Sequence, residues 1–200
     1  MLTDDEADET VALLRSLARE VLISVIIVAA VGLLLFAISG IWPPMVAVES
    51  GSMEPNMVRG DLIVVSAVDR FGAPGGAADT HVSTVATGEV SGYHSFGAPG
   101  DVIIFSPPGR RGSPIIHRAH LWVEAGEDWT TRADASHLGG ASCAQITSCP
   151  APHAGFITKG DANPQYDQVN GIAGPVQAGW VTGAARLRIP YLGHIRLLVS

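Results

Sequence analysis

The chain has 200 residues, 47% of them hydrophobic and 16% charged, with a formal charge of -7 at pH 7. That length suits one folded domain, or one domain and a membrane segment, and the apolar content exceeds what one core needs. The acidic balance excludes a general nucleic-acid-binding role, which needs a basic footprint for phosphate.

Residues 3–20 are polar and acidic, with Val11, Leu14 and Leu17 at helical spacing. Residues 21–42 then read VLISVIIVAAVGLLLFAISGIW without one charge. At 1.5 Å per residue, about 20 residues cross the ~30 Å hydrocarbon layer, so a transmembrane helix is expected over 21–42. The run is too long for the apolar region of a cleaved signal, and no small-residue cleavage site follows it. Trp42 suits the membrane interface, and Pro43 and Pro44 end the helix. Arg15 and Arg19 precede the span, and only Arg59 falls within the twenty residues after it. The positive-inside rule therefore predicts a single-pass protein of the cell membrane, with residues 1–20 as a cytoplasmic tail and 43–200 as an extracytoplasmic domain.

Beyond the span, short apolar runs recur at 45–48, 62–65, 102–105, 115–123, 156–158 and 180–189, separated by Gly, Pro, Asp and Ser clusters. They predict a mostly β domain with no amphipathic helix of ten residues. Residues 71–100, bracketed by the pentapeptide FGAPG at 71–75 and 96–100, read as a surface insertion, either a plain loop or a lid over substrate. Cys143 and Cys149 stand in a loop-like stretch. Without other paired ligands they make a poor zinc site, and the open alternatives are a small-loop disulfide or two free thiols. Residues 191–200 are too few to cross a membrane.

The chemistry concentrates in three places. Glu49-Ser50-Gly51-Ser52-Met53-Glu54-Pro55 follows a Val-rich strand, and Gly51 permits a tight turn that holds the Ser52 hydroxyl out from a rigid strand end. A serine needs a general base to attack at neutral pH. His117, after Ile115 and Ile116, supplies a candidate on a strand; His120 is a competitor, expected on the opposite face. Asp161 and Asp167 lie in the turn-rich segment after 156–158, and one of them can hold the imidazole in the correct tautomer.

The Ser50–Pro55 stretch resembles the nucleophile box of type I signal peptidases, a serine before Met-X-Pro with a second serine two residues upstream. Residues 115–118 resemble the base box in its archaeal and endoplasmic-reticulum form, where histidine replaces the bacterial lysine. Residues 160–167 resemble the Gly-Asp-Asn-Asn box with its later aspartate, although Ala162 stands where the family often has Asn. Residues 62–65, 100–105 and 189–193 resemble the family's remaining strands and closing segment. The resemblance implies a signal-peptidase-like β-sheet catalytic domain behind one N-terminal transmembrane helix. It implies removal of signal peptides from secreted precursors after small residues, with Ser52 as nucleophile, His117 as base, Asp167 as triad acid and Asp161 in support. The Ser52 N–H and the Ser50 hydroxyl would form the oxyanion hole. No metal or cofactor is expected. The expected partners are precursor proteins, membrane lipid and the secretion translocon.

Two alternatives bear on the same residues. A Ser/Lys peptidase would have to use Lys159, the only lysine, for which a surface role is expected instead. A membrane-tethered β-domain that binds a protein partner would share the anchor and strands but have no use for Ser52, His117 and an aspartate together.

Overall fold

The computed structural model describes residues 4–72 and 76–197. The chain divides into two compact units, Met1–Ile38 and Ser39–Ser200. Helix α1 runs Asp4–Ser39, so the polar stretch and the apolar stretch form one continuous helix. Its segment Ala12–Ser39 is long and apolar enough to cross a membrane. The helix stops three residues before the expected limit at Trp42. Gly40 adopts a φ of 75°, which ends the helix in the left-handed conformation before Pro43 and Pro44 are reached.

The second unit is mostly β. Strands β1 (Met45–Ala47), β2 (Leu62–Ser66), β5 (Val102–Phe105), β6 (Ile115–Val123), β7 (Gly155–Lys159) and β8 (Val181–Ile189) form one sheet in the order β1-β2-β8-β5-β6-β7. Every pairing in it is antiparallel. These are the six apolar runs of the sequence, each shifted by at most a residue or two. β5 is buried on both faces, which explains its unbroken VIIF: Val102 and Ile104 join a cluster with Met53, Met57 and Ile63, while Ile103 and Phe105 join one with Phe156 and Val176. A third cluster gathers Leu121, Val123, Trp129, Ile157 and Tyr166. It includes Cys149, which is bonded to Cys143, so the chain adopts the disulfide of the two alternatives.

Residues 71–100 differ from the expected surface excursion. Val82 is 1% exposed and packs on Ile103 and Phe105, and Ser83 and Thr84 are equally buried. The short helix α2 (Val85–Ser91) is capped reciprocally by Thr84 and Thr87. Strands β3 (His94–Ser95) and β4 (Ala98–Pro99) form a hairpin whose two-residue turn, Phe96-Gly97, has φ of 51° and 77°. That turn opens the second FGAPG; residues 73–75 of the first lie outside the described residues. Asp101, fully buried at the start of β5, accepts hydrogen bonds from the Ser83 N–H and the Tyr93 hydroxyl, both at 2.9 Å. Composition concealed this because the segment is Gly- and Ala-rich, and Val82, its apolar core residue among those described, lies between His81 and Ser83. The chain closes on helix α3 (His194–Leu197).

Candidate active site

The turn after β1 carries Ser52 above two buried methionines. Met53 is 1% exposed and Met57 fully buried, and the Met57 N–H donates to the Met53 carbonyl at 2.9 Å. The anchored side chains fix the backbone, leaving the Ser52 hydroxyl at the rim. His117 lies on β6, directly across from Ile103 on β5. Asp167 is brought back to the sheet by its own N–H, which donates to the Thr158 carbonyl on β7 at 2.9 Å. Ser52 Oγ lies 3.0 Å from His117 Nε2, and His117 Nδ1 lies 2.7 Å from Asp167 Oδ2. His117 is 5% exposed and Asp167 is fully buried. Ser50 Oγ is 3.3 Å from Ser52 Oγ. The fold thus gathers residues from three separate segments into one hydrogen-bonded line.

The loop after β7 fits closely against the serine. The Ala162 N–H donates to the Ser52 carbonyl at 2.9 Å, a backbone contact that makes no demand on the side chain where the resemblance called for Asn. A Cβ on Gly160 would sit 2.5 Å from the Ser52 carbonyl oxygen and 2.9 Å from His117 Nε2, so only glycine fits there. Asp161 does not reach His117. It accepts Arg118 Nε at 2.8 Å and Nη2 at 2.7 Å, and Asn56 Nδ2 at 2.8 Å. Burial favours the neutral Asp161 acid, but the hydrogen bonds and charge of Arg118, with Asn56 and Lys159, outweigh it and hold the carboxyl below its ordinary value. Arg118 is 2% exposed and also donates to the Ser95 and Gly100 carbonyls, both at 2.8 Å. One guanidinium therefore ties the base strand, the acid loop, the nucleophile turn through Asn56, and the β3–β4 hairpin.

Lys159 corrects the expected surface role. It is buried, and its ammonium donates to the Gly160 and Asn163 carbonyls at 3.0 Å rather than to Ser52. Burial lowers its pKa against the opposing pull of Asp161 and Asp167. The lysine stem runs inward because Lys159 pairs with the buried Arg118 across β6–β7, and its head satisfies two loop carbonyls. His120 lies apart from the serine. A register shift between Ala119 and Leu121 interrupts the alternation counted from the sequence, and its ring packs edge-on against Tyr166 and His137. Burial, with Lys159, His137 and Arg118 nearby, pushes its pKa down to about 3, so His120 stays neutral.

A cleft of about 490 Å³ opens beside Ser52 and His117. Val46, Val48, Met53, Ile104, Ile115 and Ile116 are among the residues that line it. β1 is the end strand of the sheet. Ser113 donates to Glu49 Oε1 at 2.7 Å, joining the β5–β6 loop to the strand end before the serine. The sequence pointed to Ser52, His117 and the aspartates. The resemblance took in Arg118 and Gly160 without their contacts, and Asn56 gave no sign because a contact over a hundred positions, Asn56 to Asp161, leaves no local pattern.

The family model described as signal peptidase, peptidase S26, matches residues 18–119, just over half of the chain. The matched stretch contains Ser52 and His117 and ends before Asp161 and Asp167. No curated protein matches the sequence.

Proposed function

The chain belongs to the signal peptidase family, and we propose that within it the protein is a membrane-anchored serine endopeptidase using Ser52, His117 and Asp167. The observation that carries the reading is the continuous line Ser52 Oγ, His117 Nε2, His117 Nδ1, Asp167 Oδ2 at 3.0 and 2.7 Å beside an apolar cleft. An ionised carboxylate only accepts, so Nδ1 carries the ring proton and Nε2 presents its lone pair to the serine. As Ser52 Oγ attacks the scissile carbonyl carbon, its proton passes to Nε2, and Asp167 stabilises the imidazolium. That proton next goes to the departing amine, and the acyl-enzyme ester forms. Water, deprotonated by the same ring, then releases the signal peptide and restores Ser52. The Ser52 N–H and Ser50 hydroxyl are the proposed donors to the oxyanion.

Substrate lies in the cleft as an extended strand along the free side of β1, with small side chains against Val46, Val48 and Met53. The substrates are precursors bearing signal peptides, presented at the membrane in which α1 is anchored. Residues 1–20 face the cytoplasm and 43–200 the outside, beside the translocon and lipid. Tethering enzyme and substrate in one plane raises their effective concentration.

The test is cleavage of a presecretory protein by membranes containing the chain. Ser52→Ala and His117→Ala should each lower turnover by about 10⁴-fold or more while the protein stays folded and membrane-bound. His117→Lys should not restore it. Near-wild-type turnover in Ser52→Ala would overturn the serine-peptidase reading.

A further inference from the structure

We infer that Thr158 is a fourth member of this site, a positioning residue that orients the Asp167 carboxylate toward His117; the inference rests on the reading of Ser52, His117 and Asp167 given above. Thr158 Oγ1 lies 2.7 Å from Asp167 Oδ2, the same oxygen that His117 Nδ1 reaches. The direction of this bond follows from Gln168. Its Oε1 accepts the Thr158 N–H at 3.0 Å and its Nε2 donates to the Gly174 carbonyl at 3.0 Å, which fixes which end of the amide is which. Gln168 Nε2 also lies 3.4 Å from Thr158 Oγ1. The threonine oxygen therefore accepts a hydrogen bond from Gln168 and donates one to Asp167.

The result is a one-way line of donors from Gln168 through Thr158 to Asp167 Oδ2, met from the other side by His117. Thr158 and Asp167 are fully buried and Gln168 is 3% exposed, so bulk water does not compete. Among the described residues Asp167 Oδ1 has no hydrogen-bond partner. All side-chain anchoring of the carboxylate thus falls on Oδ2, and Thr158 is the contact besides His117 that sets its rotation. The sheet places it there. Thr158 pairs with Ala119, two residues along β6 from His117, so Thr158 and His117 project from the same face. A loop-borne acid is in this way referenced to the strand beside the one that carries the base. Thr158 does not line the cleft, so substitutions there are expected to leave KM unchanged.

The experiment compares Thr158→Val, Thr158→Ala, Thr158→Ser and Asp167→Asn in the full-length chain in detergent, measuring kcat and KM on a signal-peptide substrate, thermal melts, and the low-field proton resonance of the His117 Nδ1–H. Thr158→Val and Thr158→Ala should lower kcat about 10- to 100-fold, the worth of one hydrogen bond to a charged group, with KM unchanged. Thr158→Ser, which keeps the hydroxyl, should recover most of kcat and the wild-type resonance. Should the valine variant fail to melt cooperatively, the alanine and serine pair decides. Wild-type kcat in Thr158→Val or Thr158→Ala, or a serine variant as slow as the alanine one, would overturn the inference. Wild-type kcat in Asp167→Asn would instead remove the acid from the mechanism, a failure of the underlying reading that the threonine variants cannot mimic.

Discussion

Gly160 and Asp161 are neighbours with different duties. Gly160 is where the acid loop passes closest to Ser52 and His117, and an added Cβ would meet the Ser52 carbonyl at 2.5 Å. Both contacts belong to the proposed machinery, so Gly160→Ala should displace it by several tenths of an ångström. Turnover should fall about 100-fold and the thermal melt should drop as well, since the Ala162 N–H, Asp161 and Lys159 hold the loop against the Ser52 turn. Asp161 holds a buried Arg118 instead. Asp161→Asn leaves that cation without its charge partner and should cost about 3–5 kcal/mol near neutral pH. The folded pKa of Asp161 lies below its unfolded value. Its contribution is therefore complete above about pH 4, the unfolded carboxyl range, and is lost as pH falls through the lowered value. Denaturant melts of wild type and Asp161→Asn should converge as pH drops below about 4. A gap that stays constant to pH 2 would show that the ion pair is not its source.

At the scale of elements, the segment between β2 and β5 has more structure than its composition suggested. Val82 enters the cluster of Ile103 and Phe105, and the Tyr93 hydroxyl and Ser83 N–H bind Asp101. Burial, with the charge and hydrogen bond of Asp101, pushes the Tyr93 phenol up to about 12, so it remains a donor at any working pH. The hairpin at its end supplies carbonyls to Arg118, next to the candidate base. Val82→Ala should therefore destabilise the whole domain by about 2 kcal/mol, two buried methyl groups and the void they leave. A domain whose melting is unchanged by this substitution would place the segment outside the cooperative unit.

For the whole molecule, the proposed topology and the disulfide bear on one another. A Cys143–Cys149 bond persists in an oxidising compartment, which agrees with residues 43–200 lying outside the cytoplasm. Protease added to intact cells should digest 43–200 and spare residues 1–20; the opposite pattern would reverse the orientation. The bond closes a small loop, so replacing both cysteines by serine should cost about 2 kcal/mol in a denaturant melt. Its partner in the third cluster, Tyr166, directly precedes Asp167, so loosening this end of the domain should also lower turnover.

Features that depend on neighbours along the chain were legible without the fold. An uncharged run fixes the helix able to cross a membrane, and six apolar runs between turn residues fix six strands, because helix length and strand burial are local consequences of side-chain polarity. A serine in a Gly-Ser-Met-X-Pro turn and a histidine on a strand were recognisable for the same reason. The resemblance named Asp167 as triad acid with Asp161 in support, but the partners of Asp161 came from the tertiary structure. Both occupy one turn-rich segment, and nothing in the flanks of Asp161 says that it meets Arg118 from β6. The tertiary structure also decided that Lys159 is buried, that His120 falls at a register shift, and that Val82 belongs to the core. Each depends on which strands pair and in what register, and that is set by the burial of all six strands at once rather than by any one segment.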